Sequence, residues 1–147
     1  MIIVEVKKLH PNAVIPEYQT AGSAAIDLHV LLDHDHMVMI KPGGVMMVGT
    51  GLAINMPSPD MAAMILPRSG LGAKNGIVLG NLVGLIDSDY NQELKLAVWN
   101  RSDEPFFFRS GDRLAQLVFV PVLRVGLWHV GNFTSESDRG GFGSTGV

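Results

Sequence analysis

The chain has 147 residues, enough for one domain with a single buried core. Its 47% hydrophobic and 17% charged residues exclude an intrinsically disordered protein. The absence of cysteine excludes a disulfide framework, a thiolate zinc site and a cysteine nucleophile. Eleven basic residues against fourteen acidic ones give a net charge of −3, which argues against stable nucleic-acid binding.

Short β-strands separated by turns are predicted along most of the chain. Alternating apolar and polar residues predict a strand over 2–7, and similar patterns predict strands over 45–48 and 94–99. A helix of one or two turns is predicted to begin near Ser69. The apolar run 114–122 predicts a strand that is buried on both faces. These elements favour an all-β fold, a jelly-roll-like sandwich or distorted β-barrel.

No segment has the features of a membrane span or a secretion signal. The apolar run 117–123 contains Pro121 and is far shorter than the roughly 18 residues of a spanning helix. The N-terminus lacks a charged start and a small-residue cleavage site, so we expect a cytoplasmic protein with no membrane partner. The mean hydropathy of +0.26 is high for so small a chain, and predicts apolar surface that a partner subunit covers.

The C-terminal residues differ in composition from the rest of the chain. We predict a β domain over 1–130 and a flexible, Gly-rich arm over 131–147, because the arm has too few apolar residues to fold alone. One interpretation is a disordered end. The other is a lid over an anionic, ring-bearing ligand, to which Arg139 would bring a cation and Phe142 an aromatic ring.

The segment Pro-Arg-Ser-Gly at 67–70 has the composition of a phosphate-binding turn. Arg68 offers a planar fork to phosphate oxygens, and Gly70 lets a ligand approach the backbone. Ser69 is a favoured N-cap, and a helix that begins there would point free N–H groups at an anion. The alternative is a capped turn with a surface arginine.

The segment 84–91 places two carboxylates and a tyrosine at a turn. It lies between the runs 77–86 and 94–99, which are predicted to form a hairpin arm. One of its aspartates could act as a general base toward water, and Tyr90 could pack on a sugar or base ring. The alternative is an ordinary Asp- and Asn-rich hairpin turn.

Further polar residues lie in apolar surroundings or in a charged run. Gln116 needs a hydrogen-bond partner, and the odd spacing of three predicts that Arg113 lies on the opposite face of the strand. Asp27 is expected to form a salt bridge or to cap a turn. The run Asp-His-Asp-His at 33–36 could bind zinc, but a loop tip is favoured because no Cys or Glu-His pair supports a metal site.

Taken in order, these segments resemble the five motifs of the trimeric deoxyuridine triphosphatase family, bacterial type. The resemblance extends over essentially the whole chain, and its segments are AGSAAIDL (21–28), PRSGL (67–71), GLIDSDY (84–90), GDRLAQ (111–116) and RGGFGSTG (139–146). It implies a jelly-roll-like subunit in a homotrimer, with three active sites each assembled from all three chains. The implied reaction is hydrolysis of dUTP to dUMP and pyrophosphate with Mg²⁺.

The resemblance also implies a role for each matched residue. Asp87 would activate the attacking water, and Tyr90 would pack on deoxyribose and exclude a 2′-hydroxyl. Asp27 would support the arginine and magnesium region, while the ion itself is held by triphosphate oxygens and water, with no direct protein ligand. The remaining implied contacts are Arg68, Ser69, Gly70, Gln116 and Arg139 with the phosphates, and Asn81, the main chain of Gly84 and Lys95, and the ring of Phe142 with uracil.

The last motif departs from the family pattern Arg-Gly-x-Gly-Gly-Phe-Gly. Counted back from Phe142, the usual arginine position holds Ser137, and Arg139 lies two residues closer to the ring. Arg139 therefore either acts from a shorter tether or is displaced. The rival functions are a dCTP deaminase or a bifunctional deaminase–diphosphatase, both disfavoured by the intact segment 86–90, and a non-catalytic binding module.

Overall fold

A computed structural model describes residues 2–33 and 35–135. Within these ranges the chain forms short strands and a single short helix, which confirms the predicted all-β class. The helix, α1, spans Ser69–Asn75 and ends at Gly76, whose left-handed backbone (φ 66°) suits a residue without a side chain. The strands are β1 Glu5–Lys8, β2 Ile26–His29, β3 Val38–Ile40, β4 Val45–Gly49, β5 Leu52–Asn55, β6 Met61–Pro67, β7 Ile77–Leu79, β8 Gly84–Ile86, β9 Lys95–Asn100, β10 Phe106–Phe108 and β11 Arg113–Pro121.

Two antiparallel sheets form the main part of the fold. The larger has the strand order β2-β11-β6-β8, and the smaller has the order β4-β9-β7. The pairs β1-β5 and β10-β3 form two further small sheets. The pairings among the described residues do not close a barrel, and the arrangement is consistent with a jelly roll.

The hydrophobic core contains residues from both main sheets, because alternate residues of a strand point to the same face. In β9, Leu96 and Val98 are buried while Lys95 is exposed. Leu28 and Ile65 of the larger sheet join them in one cluster. Burial of each such side chain contributes about 1.5–3 kcal/mol relative to exposure, so these alternating positions determine which face of each strand is inside.

The long strand β11 is paired on both sides, with β2 and with β6. Leu117 is buried, but Val118, Phe119 and Val120 are only half-buried. The prediction that both faces of this strand are buried is therefore wrong for the single chain. The second face packs against too little of the same chain to be covered.

Beyond β11 the chain continues from 122 to 135 without regular secondary structure. Its large apolar side chains are exposed, with Leu127 96%, Trp128 89% and Phe133 80% accessible. A segment with this many exposed apolar side chains is expected to contact another chain. Most of the predicted arm, from 136 onward, lies outside the described residues. Among the residues that are described, no helix is long and apolar enough to cross a membrane.

Candidate active site

Asp27 lies at the centre of an ion-pair cluster. Its Oδ1 forms an ion pair with Nε of Arg68 at 2.9 Å, and its Oδ2 accepts a hydrogen bond from Nη1 of Arg113 at 3.1 Å. Arg68 also donates from Nη1 to the backbone oxygen of Arg113 at 3.0 Å. The Asp27 side chain is 14% exposed, against 29% for Arg68 and 41% for Arg113. The carboxylate is thus shielded, while both guanidinium groups remain accessible to an anion.

The position of β11 between β2 and β6 brings this cluster together. Gln116 is opposite Asp27 on β2 and opposite Leu66 on β6. A bulge between Arg113 and Ala115 inserts one residue, so Arg113 is opposite His29, two residues from Asp27. Arg113 and Gln116 therefore share a face, and the predicted opposite orientation is wrong because the bulge restores an even alternation.

The turn at the end of β6 carries the next predicted residues. Nε2 of Gln116 donates to the backbone oxygen of Pro67 at 2.9 Å, which satisfies the amide as expected. The helix begins at Ser69 as predicted, but the N-cap is Arg68 and no side chain caps the helix, so the prediction of Ser69 as N-cap is wrong. A Cβ at Gly70 would meet nothing within 4 Å, so the backbone there is open to a ligand.

His29 lies beside the cluster, opposite Arg113. The pKa of His29 is lowered from its usual 6.5, mainly by burial and further by Arg113 and Arg68, while Asp27 acts in the opposite direction. Its Nδ1 is buried and has no hydrogen-bond partner within the described residues. The imidazole is therefore neutral at neutral pH and adds no charge to the two arginines.

Asp87 and Tyr90 form a tight turn directly after β8. The backbone N–H of Tyr90 donates to the backbone oxygen of Asp87 at 3.1 Å, and the Tyr90 hydroxyl donates to the backbone oxygen of Glu93 at 3.1 Å. Asp87 is exposed, and Tyr90 is 40% exposed. An accessible carboxylate and a ring held by its hydroxyl thus lie on the same turn.

The hairpin predicted between 77–86 and 94–99 forms only in part. β7 pairs with β9, whereas β8 pairs with β6 in the other sheet. The chain passes from one sheet to the other through the turn 80–83, where Leu82 has a φ of 63°. This left-handed backbone is unfavourable for a bulky residue, and the two hydrogen bonds of the turn, from Leu82 to Leu79 and from Val83 to Asn81, hold it in place.

Asn81 and Gly84 lie at the same turn, and Lys95 begins β9. A Cβ at Gly84 would lie 3.2 Å from Cβ of Ile65 and 3.5 Å from Nδ2 of Asn81, so this position fits glycine closely. Lys95 pairs with Gly49 of β4, and its Nζ is 3.6 Å from Oε2 of Glu93. Asn81 and Gly84 therefore lie at the end of β8 opposite to Asp87, and Lys95 lies in the other sheet.

The Asp87 turn and the Asp27 cluster lie toward opposite ends of β6. Ile86, next to Asp87, pairs with Ala63. From Ala63 to Arg68 the extended backbone advances five residues (63 to 68), about 16 Å at a rise of 3.3 Å per residue. Asp87 and Arg68 of one chain are therefore well separated along β6.

Some predicted features fall outside the described residues. These are Arg139 and Phe142, together with His34 of the run 33–36. Among the residues that are described, no group of three or more His, Cys, Asp or Glu is arranged to hold a metal ion. Because His34 lies outside the described residues, the run 33–36 is not tested as a metal site.

A family model for dUTPase matches residues 11–146. The chain belongs to the dUTPase family. A deoxyuridine 5'-triphosphate nucleotidohydrolase of Janthinobacterium sp. (strain Marseille) is 56% identical over 149 residues, which cover 99% of each chain. Among solved structures, a mutant dUTPase of Staphylococcus bacteriophage 80alpha with dUpNHpp has a TM-score of 0.86 at 26% identity over 99% of each chain. A mutant dUTPase of phage phi11 of S. aureus, described with a structural Mg(II) ion, has a TM-score of 0.80 at 23% identity, covering 90% of this chain and 99% of its own.

The matched motifs lie in different parts of the single chain. Asp27, Arg68 and Gln116 lie together around β11. The third motif runs along β8 into the Asp87 turn, whereas Asn81 lies in the turn before β8 and Lys95 begins β9 in the other sheet. The sequence analysis gave no role to Arg113, and predicted only that it lies on the face opposite Gln116.

Proposed function

We propose that the protein hydrolyses dUTP to dUMP and pyrophosphate by attack of water on the α-phosphate, in a site shared between chains. This reaction keeps uracil out of DNA and supplies dUMP for thymidylate synthesis. The observation that carries the proposal is the cluster of Asp27 with Arg68 and Arg113. It holds two guanidinium groups at the position where the family resemblance predicts binding of the phosphates. Membership in the dUTPase family gives the reaction.

The phosphates bind at the end of β6 in this proposal. Arg68 and Gln116 contact phosphate oxygens, helped by Ser69 and the open backbone at Gly70. Asp27 does not touch the substrate but fixes the direction of the Arg68 side chain through the 2.9 Å ion pair. Phosphoryl transfer depends mainly on positioning and charge neutralisation, so a fixed guanidinium lowers the barrier without covalent chemistry.

The nucleoside binds at the Asp87 turn. Asp87 accepts a proton from the attacking water, a role that suits its exposed carboxylate, and Tyr90 packs on the deoxyribose. Asn81 and the main chain of Gly84 and Lys95 contact uracil. Arg139 and Phe142, which lie outside the described residues, close the site over the phosphates and the base.

The separation along β6 supports an assembly in which one chain supplies Arg68 and another supplies Asp87. Within one chain the pairing partner of Ile86 lies five residues before Arg68, about 16 Å along the extended strand, which supports a site completed by a second chain. The exposed apolar side chains of 122–135, such as Leu127 and Trp128, and the half-covered face of β11 offer contact surface for other chains. The family resemblance supports a homotrimer as this assembly.

Magnesium fits this site as an ion carried by the substrate. Mg²⁺ keeps several waters and commonly binds protein sites through substrate phosphates, so we propose no direct protein ligand for it. When bound, the ion neutralises phosphate charge. Arg68 and Gln116 orient the same phosphates, and the Asp27 carboxylate supports that region from behind. We place the enzyme in the cytoplasm, with no membrane or nucleic-acid partner.

The decisive measurement is pyrophosphate release from dUTP, compared with dCTP, dTTP and UTP. We expect activity on dUTP alone, and a fall of about 10²–10⁴-fold in kcat for Asp87→Asn, because an amide cannot accept the proton of water. The matched control is Asp89→Asn, an exposed carboxylate of the same turn, which should retain activity. Ammonia release from dCTP, or turnover of Asp87→Asn within a few-fold of wild type, would contradict the proposal.

The assembly has its own test. Light scattering should give a mass of roughly 47 kDa, three times the 15.8 kDa chain. A monomer that hydrolyses dUTP at the full rate would contradict a shared site while leaving the reaction intact.

A further inference from the structure

Glu93 connects the Tyr90 turn to a second loop through both its main chain and its side chain. Its backbone oxygen accepts the hydrogen bond of the Tyr90 hydroxyl at 3.1 Å. Its Oε1 accepts a hydrogen bond from the backbone N–H of Gly51 at 2.9 Å, and its Oε2 is 3.6 Å from Nζ of Lys95. The five matched motifs do not include Glu93, so nothing described so far gives it a role.

The carboxylate of Glu93 occupies a space that the fold keeps free for it. A Cβ added to Gly49 would overlap Oε1 of Glu93, although the backbone of Gly49 has no left-handed conformation that would itself require glycine. The next residue, Thr50, is fully buried and donates from its hydroxyl to the backbone oxygen of Leu94 at 2.8 Å. The segment 93–94 is therefore attached to the loop 49–51 by two side chains.

We propose that Glu93 is a positioning residue that fixes the Tyr90 ring for the choice between deoxyribose and ribose. The Tyr90 hydroxyl is bound to the backbone oxygen of Glu93, so the orientation of the ring depends on where that oxygen lies. The carboxylate holds that oxygen in place through Gly51. Glu93 acts through Tyr90 and does not itself contact the sugar. The inference rests on the sugar-packing role of Tyr90 in the proposed function.

The test is the ratio of kcat/KM for dUTP to kcat/KM for UTP. In Glu93→Ala this ratio should fall on the order of tenfold to hundredfold, as expected when a contacting group moves by about 1 Å. Glu93→Gln keeps an oxygen acceptor for Gly51 and should retain most of the discrimination. The matched control is Asp33→Ala, which removes a carboxylate that lines the same surface depression and should leave the ratio unchanged.

Gly49→Ala provides an independent perturbation, because the added methyl group displaces the Glu93 carboxylate while Glu93 itself remains. It should lower the ratio as Glu93→Ala does, and it decides the matter if Glu93→Ala fails to fold. Equal losses on dUTP and UTP in both variants, with a lower Tm, would mean a purely structural role and overturn the inference. If the wild-type protein releases no pyrophosphate from dUTP, the proposed function fails as well; an active wild type with unchanged ratios refutes the Glu93 inference alone.

Discussion

Replacing Asp27 with asparagine removes the negative charge that holds Arg68 and Arg113 side by side. The asparagine oxygen can still lie against Nε of Arg68, but the amide nitrogen then faces Nη1 of Arg113, a donor against a donor. Two guanidinium groups remain next to each other without a balancing charge. The substitution keeps the shape of the side chain, so its effect reports the charge and the hydrogen bonds.

The expected loss of stability follows from how exposed these groups are. Breaking a buried ion pair costs about 3–5 kcal/mol, and breaking an exposed one costs about 0–1 kcal/mol. Asp27 is 14% exposed, but Arg68 and Arg113 are 29% and 41% exposed, so we expect an intermediate loss of about 2 kcal/mol. For a chain of this length that loss lowers Tm by about 4–8 °C.

The same substitution should reduce kcat/KM for dUTP by about 10–100-fold, because Arg68 loses the contact that orients it toward the phosphates. Thermal unfolding followed by circular dichroism and pyrophosphate release measure the two effects separately. The control is Asp60→Asn, which changes a carboxylate that contacts Ser58 away from the cluster, and should leave both unchanged. A Tm within 1 °C of wild type together with full kcat/KM for Asp27→Asn would refute the role of the cluster.

Three further outcomes are expected. Leu82→Gly should raise the free energy of unfolding by about 1 kcal/mol, measured by thermal unfolding, because it removes the steric strain of a left-handed backbone at an exposed leucine. A loss of stability would show that the leucine side chain packs favourably. Because the pKa of His29 is lowered in the folded state, its contribution to stability is complete above pH 6.5 and is lost as the pH falls toward the folded pKa. The Tm of His29→Gln should therefore decline less steeply than that of wild type between pH 6.5 and 5. Parallel Tm profiles of the two proteins would contradict this. Truncation before Ser137 should leave a folded trimer with much reduced activity, and full activity of the truncated protein would exclude a lid. If Arg139 reaches the phosphates, Arg139→Ala should be nearly as inactive as the truncated protein. If Arg139→Ala is near normal while Phe142→Ala is impaired, the site closes by stacking of the ring.

Strand positions were predictable where burial produces a visible pattern of apolar residues in the sequence. The alternation in β9 and the apolar run of β11 reflect the faces that pack in the core. The bulge in β11 produces no recognisable pattern, because Leu114 and Ala115 are both apolar and both buried. The passage between sheets at 80–83 was missed for a similar reason, since Leu82 adopts a left-handed conformation that glycine or asparagine would have signalled.

The candidate site was predictable as a set of residues but not as an arrangement. The polar character of Asp27 in an apolar strand indicated a partner, yet Arg113 is 86 positions away along the chain. Which arginine faces the carboxylate depends on the register of three strands and on one bulge. Local sequence does not contain that information, whereas the packed sheet does.

The distance between Asp87 and Arg68 along β6 has a genetic consequence. If each active site takes Arg68 from one chain and Asp87 from another, two alleles that each inactivate the enzyme need not be inactive together. Co-assembly of Arg68→Ala chains with Asp87→Asn chains would pair an intact arginine with an intact aspartate in the mixed trimers. Two defective genes in one cell would then restore part of the activity that neither supplies alone.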